Sequence, residues 1–419
     1  MNSQPVEFSR PLEARSAVRC GTPALREVID AIRASAAAAK REGRSLHATI
    51  DIVRAARLGA LRVPVVEGGG GGSVRDYFAM LIDLAEADAD VAHIVRAHYW
   101  FVEERLRSKN KTERARWLAK IVNGEIFGNA MSEIGGGAAV GSWLFNTTLT
   151  PTANGHELNG KKYYCTGSLY SDWINVYACT PEGTAVSAVI PFGREGFVLE
   201  DDWDGIGQRL TGSGTATLDK VQVLPEELLA ASVESTDAAS LTNPVDPYLA
   251  GQICQLILTA IIAGILRNVV SDAVRLIRGR GRTYAHAAGE TPAADPLLQQ
   301  LVGQMASQAF AAEALILAAA EAQDAALASA VEGPINFELA HRASLLAAQA
   351  KVVIDELAAR AATQLFDVGG SSAIKQSADL DRHWRNIRTL ASHNPVVYKA
   401  RAIGDYLING TVLPSNGFF

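Results

Sequence analysis

Residues 143–167 read WLFNTTLTPTANGHELNGKKYYCTG. Aromatic and β-branched residues alternate with polar ones, and Asn154-Gly155 and Asn159-Gly160 stand between the runs as turn dipeptides. INVYACT (174–180), AVSAVIPF (185–192) and TATLDKVQVLP (215–225) have the same texture. A small antiparallel β-domain is expected from about Gly128 to Leu228. Both flanks are helical in pattern. Upstream, Thr22 to Arg41 sets Leu25, Val28, Ile29 and Ile32 at helical spacing, with Pro23 in the first turn. Leu46 to Leu61, Val74 to Ala87 and Val91 to Leu106 repeat that pattern. Downstream, 249–282, 294–330, 335–367 and 395–409 are Ala-rich and long, as in a helical bundle with faces open to another subunit. The expected fold is mainly α with a central β-domain: 1–127 N-terminal helical, 128–235 middle β, 236–419 C-terminal bundle.

Composition narrows the function. The 419 residues carry 39 Lys and Arg against 45 Asp and Glu, a net charge of −6, which disfavours nucleic acid. With 48% hydrophobic and 20% charged residues the chain can bury a large core. Cys20, Cys165, Cys179 and Cys254 have no CxxC spacing. The apolar run Ile253 to Leu266 falls short of the roughly 20 residues a bilayer needs, and Arg267 is read as its end, so no membrane span is expected. The first residues lack an apolar signal core, so a reducing cytoplasm is the expected location. Gly68 to Gly72 lacks the Gly-Lys-Ser/Thr of a phosphate loop and reads as a flexible turn.

Several segments carry chemistry. His98 lies among Tyr99, Trp100 and Phe101, either buried or facing a flat ring. Asn129 to Glu133 offer side-chain and backbone donors to a heterocycle, and Gly135 to Gly137 suit a lid. Thr166 offers a hydroxyl, while Cys165 reads as strand core. Trp203 can wall a planar ligand. Asp201 and Asp202 have no histidine at ligand spacing, so no metal site is expected. The stretch 381–395 packs Arg382, His383, Trp384, Arg385, Arg388 and His393 ahead of Pro395.

The helix–β–helix order, with GNAMSE (128–133), LNGKKYYCTGSLYSD (158–172), DDWDGIGQRLTGSGT (201–215) and DRHWRNIRTLASHNPVVYKARAIGDYLING (381–410), resembles the acyl-CoA dehydrogenase fold. Within it, these motifs resemble the flavin-dependent monooxygenases typified by dibenzothiophene monooxygenase. The dehydrogenases place a base carboxylate in the turn after the Arg-Asn segment. Here that turn holds His393 and Asn394, and Asp246 is the one alternative acid. RGRGRTYAHAAG (278–289) lacks the Phe-Gly that binds the adenine half of FAD, so FMN is implied, with FAD as the alternative.

The resemblance implies a two-component enzyme. Reduced FMN from a separate flavin reductase reacts with oxygen to a flavin hydroperoxide, which oxygenates a small hydrophobic substrate, an organosulfur compound in the first place, with amine N-oxygenation and aromatic hydroxylation as the alternatives. The implied catalytic residues are His98, Thr166 and His393. The implied flavin contacts are Tyr99, the run Asn129, Ala130, Met131, Ser132, Glu133 and Ile134, then Lys162, Tyr163, Tyr164, Cys165 and Thr166. Trp203, Arg282, Ser371, Ser372 and His393 complete them. A homotetramer is expected. An acyl-CoA dehydrogenase and a non-catalytic flavin-binding oligomer are the alternatives.

Overall fold

The computed structural model describes residues 17–134, 143–153, 155–229, 246–331, 334–415 and 419. The N-terminal part contains α1 (Pro23–Arg41), α2 (His47–Ala55), α3 (Val74–Ala87), α4 (Ala89–Ile94), α5 (Arg96–Arg107) and α6 (Lys111–Val122). The Thr22 hydroxyl accepts from the Leu25 N–H at the start of α1, and a Ser73–Asp76 capping box starts α3. The single helix expected over 91–106 is two helices. Asp88 caps α4 through the N–H groups of Asp90 and Val91, and Val95 interrupts the path before α5. Gly68 to Gly72 is held rather than flexible. The N–H groups of Gly70, Gly71 and Gly72 donate to Ala60, Val63 and Leu61 at 2.9–3.0 Å. A Cβ on Gly69 would meet the Val63 carbonyl oxygen at 2.2 Å, so close backbone approach explains glycine there.

The middle of the chain is one sheet of β1 (Phe127–Ala130), β2 (Thr148–Thr152), β3 (Gly155–Lys162), β4 (Trp173–Cys179), β5 (Ala185–Pro191), β6 (Phe197–Leu199) and β7 (Ala216–Val223). The order is β1-β4-β2-β3-β7-β6, with β5 also on β4. The sheet is mixed, not antiparallel throughout: β1 and β2 both run parallel to β4. Asn159-Gly160 is not a turn. It lies inside β3, where the register against β7 slips between Leu158 and Gly160. Leu149, Leu158, Ile174, Val176, Ile190 and Val221 fill the core beside the sheet.

The C-terminal part is α7 (Asp246–Gly279), α8 (Pro296–Ala328), α9 (Phe337–Gly369), α10 (Asp381–Ala391) and α11 (Val396–Asn409). Buried alanines along α7, α8 and α9 (Ala260, Ala312, Ala350 and Ala361 among them) keep the helix axes close. Gly264 lets α7 cross α3, since a Cβ there would lie 2.5 Å from the Ile82 carbonyl oxygen. Arg267 follows the apolar run and lies inside α7, as the helical pattern over 249–282 implies. Asp83, Glu86 and Glu313 neutralise it at 2.6, 3.4 and 2.5 Å. By length and composition, Ile253–Gly279 and Pro296–Ala328 are each apolar enough to cross a membrane. The first is 83% buried within the protein, as befits a core helix, whereas the second is 22% buried. α10 is tied to α7 through Asp272, which accepts from Arg382 at 2.6 Å and His383 at 2.8 Å. Against the cost of burial, His383 and Arg382 hold the Asp272 carboxyl at about 2.

His98 links the N-terminal helices to the sheet. Its Nε2–H donates to the Gly59 carbonyl at 3.1 Å, and its Nδ1 accepts the Phe127 N–H at 3.2 Å. Burial pushes its pKa down from 6.5 to about 4. The unfolded chain therefore binds more protons than the folded one between those values, so stability falls as pH drops below about 6.5. One such histidine contributes a slope of about 1.4 kcal/mol per pH unit. We expect His98→Ala to cost about 2–3 kcal/mol at pH 7, because two buried backbone groups lose their partner. It should also remove that slope between pH 6 and 4.5 in denaturant titrations. A variant with the wild-type slope would refute the buried neutral histidine.

Candidate functional site

β3 leads directly into the site. After Lys162 the backbone turns at Tyr164, whose φ is +58°. The Cys165 N–H donates to Gly214 O at 3.0 Å and the Gly167 N–H to Thr211 O at 2.8 Å, pinning 163–167 against 211–214. Three hydroxyls then line up. Thr166 Oγ1 lies 2.7 Å from Ser213 Oγ, which lies 2.7 Å from Thr211 Oγ1. Thr211 donates to the Gln208 carbonyl at 2.8 Å. Each hydroxyl has one proton. With the last committed to a carbonyl, the chain runs Thr166 to Ser213 to Thr211 to Gln208. Thr166 is left with lone pairs alone, an acceptor.

Gln208 is fully buried with φ +55°. Its N–H donates to Asn386 Oδ1 of α10 at 2.7 Å, and its carbonyl also accepts Trp203 Nε1–H at 3.0 Å. Its Oε1 takes the Nδ1–H of His93, from α4, at 3.1 Å. The other amide atom, Gln208 Nε2, and His93 Nε2 are buried without a hydrogen-bond partner among the described residues. Burial, then the Arg96 charge, push the His93 pKa down to about 3. Its ring is neutral, with the Nε2 lone pair unused.

His393, in the turn between α10 and α11, repeats this arrangement. Its Nδ1 lies 3.2 Å from Asn394 Oδ1, and Asn394 Nδ2 donates to Gln255 Oε1 of α7 at 2.9 Å. The ring is reached by solvent yet closely surrounded by protein. That surrounding lowers its pKa first, the Arg96 charge second, and His93 also acts on it. Two neutral imidazoles are thus near one another, each oriented through Nδ1 by an amide oxygen. Arg96, the first residue of α5, reaches Cys254 Sγ of α7 at 3.2 Å.

The expected site residues divide into groups. Thr166 opens the hydroxyl chain to Gln208, and Trp203 meets Tyr164 edge-on with ring centroids 6.0 Å apart. Tyr163 and Ser132 are joined through their backbones at 2.8 Å. Asn129 receives Ser168 Oγ–H on its carbonyl at 2.9 Å. Ala130 and Met131 are buried, while Ser132 and Ile134 are exposed where β1 ends. Arg282 and Ser371 are exposed and near each other: Arg280 Nη1 donates to Val368 O at 2.8 Å, and Tyr284 reaches Gly370. No contact joins them to Thr166 among the described residues. The side chains of Ser372 and Asp246, and Gly135 to Gly137, lie outside the described residues.

Other expectations are corrected. His98 and Tyr99 do not face the site. His98 has both nitrogens engaged by backbone, and the buried Tyr99 hydroxyl donates to Leu58 O at 2.7 Å. Lys162 and Glu133 lock the chain instead of presenting donors. Lys162 Nζ, fully buried, donates to Met131 O at 3.1 Å and Glu133 Oε1 at 2.7 Å. Glu133 also accepts from Asn146 N–H and from Thr147 N–H and Oγ1–H, which hold its carboxyl at about 2 against the cost of burial. Burial raises the Cys165 thiol to about 12, so its side chain is inert core. Asp202 is engaged by the Thr215 N–H and hydroxyl, each at 2.7 Å. Of the arginines in 381–395, Asp272 takes Arg382, and Asp379 and Asp381 take Arg385.

Sequence reasoning missed His93, Arg96, Gln208, Thr211 and Ser213. The last three stand in GQRLTGSG, a segment quoted for its resemblance, whose alternation of small and hydroxyl residues was the available signal. His93 was hidden by reading α4 and α5 as one helix.

Known proteins share this fold. Residues 256–398 match the family described as Acyl-CoA dehydrogenase, C-terminal domain. The chain is 29% identical over 363 residues to the "Probable FMNH2-dependent monooxygenase SfnC" of Pseudomonas putida, covering 86% of this chain and 87% of that one. FMN-bound TdsC of Paenibacillus sp. A11-2, a dibenzothiophene monooxygenase, superposes with a TM-score of 0.84 at 29% identity, over 94% of this chain and 98% of that one. Methanesulfinate monooxygenase MsuC of Pseudomonas fluorescens gives 0.83 at 26% identity, over 95% and 100%. The chain has the acyl-CoA dehydrogenase-like fold and, within it, resembles the flavin-dependent monooxygenases of the dibenzothiophene monooxygenase type.

Proposed function

We propose that this protein is the oxygenase of a two-component system, which uses reduced FMN and oxygen to oxygenate a small organosulfur compound. One observation carries the reading: the buried His93 ring presents an unpartnered Nε2, and Gln208 ties that ring to the hydroxyl chain that leaves Thr166 an acceptor. The similar proteins support it. SfnC is named FMNH2-dependent, TdsC contains FMN, and the two solved relatives are named for dibenzothiophene and methanesulfinate, both organosulfur compounds.

The residues present fit the flavin. Two orphaned buried polar atoms, His93 Nε2 and Gln208 Nε2, belong to a site made for a polar heterocycle and its reactants. Thr166, as an acceptor, would take an N–H of the reduced ring, which oxidised FMN lacks at that nitrogen. Tyr164 and Trp203 would cover the ring edge. Bound reduced FMN supplies the two electrons that let one oxygen atom enter the substrate while the other leaves as water. Around that chemistry, His93 and His393 accept O–H groups through Nε2 and hold oxygen oriented. Arg282, Ser371 and Ser372 would reach the phosphate of a flavin bound by a neighbouring subunit. A homotetramer would cover the outer face of α8, where Leu297 and Phe310 are exposed. A flavin reductase is the second component, and the cytoplasm is the proposed location.

Reconstitution with a flavin reductase, FMN, NADH and oxygen, over a panel of thioethers, sulfoxides and sulfinates, tests the activity; no oxygenated product from any member would overturn it. His93→Ala and His393→Ala should each keep reduced-FMN affinity within about threefold. Product per oxygen consumed should fall about 100-fold or more, with hydrogen peroxide released instead. Wild-type coupling in both variants would remove the imidazoles from the mechanism. Ser213→Ala frees the Thr166 proton and makes Thr166 a donor. The preference for reduced over oxidised FMN, measured by anaerobic and aerobic titration, should fall by about tenfold, one hydrogen bond's worth. An unchanged ratio would show that the hydroxyl chain does not set it.

A further inference from the structure

Arg96 stands apart from the arginines around it. Arg54, Arg62, Arg105 and Arg267 are all paired with carboxylates. Arg96 has no carboxylate within ion-pair distance among the described residues, although it is only partly exposed. Its Nε is buried without a partner. Its Nη2 reaches Cys254 Sγ at 3.2 Å, a weak acceptor. That thiol is buried and raised in pKa, so it stays neutral and brings no counter-charge. The other groups that feel Arg96 are His93, His393 and Tyr77, and the same cation and burial keep the two imidazoles uncharged.

The guanidinium therefore enters the site with its charge uncompensated. Leaving a partly buried cation unpaired is costly unless a ligand completes it. Its planar fork matches a two-oxygen anion, which can accept two parallel N–H bonds. An apolar wall stands one helical turn along α5. Trp100, at the i+4 position, stacks on Tyr177 with centroids 6.3 Å apart and a 24° interplanar angle. Trp143 and Phe145 pack on the same Tyr177 ring at 5.9 and 6.1 Å. Charge at one end and aromatic surface at the other suit one molecule with an anionic head and a flat or apolar body.

We propose that Arg96 is the substrate's head-group site, and that the substrate carries an oxyanion of the sulfinate or carboxylate class on an apolar body lying along Trp100 and Tyr177. This rests on the oxygenase reading and deepens it: the organosulfur substrate is an anion, not a neutral thioether.

The test is equilibrium binding to the FMN-loaded protein, followed by calorimetry, with three probes of one size: benzenesulfinate, benzoate and methyl phenyl sulfone. Wild type should bind at least one of the two anions at least tenfold more tightly than the neutral sulfone, and which anion wins identifies the head group. Arg96→Met should weaken the anions by tenfold or more and leave sulfone and FMN binding unchanged, which also reports correct folding. Arg96→Lys should recover part of the loss. Equal anion binding by wild type and Arg96→Met would overturn the proposal. So would a sulfone bound as tightly as both anions, or a loss confined to FMN. If anion binding follows Arg96 while no sulfur compound is oxygenated, the subsite stands and the proposed activity falls.

Discussion

Everything in the site depends on Gln208. It sits in a left-handed backbone conformation, buried; its N–H and side chain bond to distant parts of the chain, and its carbonyl to Trp203 and Thr211 nearby. Its N–H holds α10, its carbonyl ends the hydroxyl chain from Thr166, and its side chain orients His93 on α4. N-terminal helices, sheet loop and C-terminal helices thus meet on one residue. A non-glycine residue at positive φ is uncommon and persists where the surroundings over-determine it. Here they do: Trp203 closes over the same carbonyl, and a Cβ on the adjacent Gly207 would meet Arg385 O at 2.3 Å. The distant C-terminal segment is required because α10 supplies Asn386, and Asp272 holds α10 in place.

That geometry fixes the electrostatics. Both imidazoles donate through Nδ1 to an amide oxygen, which selects the tautomer with a bare Nε2. Burial first, and the Arg96 charge second, keep them from protonating. A neutral ring is an acceptor and a base near pH 7, not an acid. The arrangement favours holding an O–H group over releasing it, which is what an oxygen-transfer site needs while substrate is positioned.

The architecture was legible because its two periodicities differ. Apolar residues at 3.6 spacing over thirty residues give the bundle helices to within a few residues of Asp246–Gly279, Pro296–Ala328 and Phe337–Gly369. Strand pairing was less legible. Alternation marks a strand but says nothing of direction, so the parallel β1–β4 and β2–β4 pairs were missed. Asn159-Gly160 looked like a turn because glycine serves a bulge and a turn equally well. Of the proposed site, Thr166, Trp203 and His393 stand in the quoted motifs. His93 does not: it and His98 are histidines five residues apart in one apparent helix. The break at Val95, which no breaker residue announces, sends one to Gln208 and the other to the Gly59 and Phe127 backbone.

The turn at His393 and Asn394 explains why Arg96 can be free. Dehydrogenases of this fold resemblance place a carboxylate in that turn. A carboxylate here would lie within the field of Arg96 and pair with it. The base would be weakened as its pKa fell, and the guanidinium would be neutralised. An imidazole oriented by Asn394 and Gln255 takes the same place without taking the charge. The substitution of a neutral acceptor for an anion thus changes two things at once. It removes the group that would abstract a carbon-bound proton, and it leaves a cation in the site for an anion brought by the substrate. At this position a carboxylate base would compete with an anionic head for Arg96, and the proposed head-group site rests on the absence of that carboxylate.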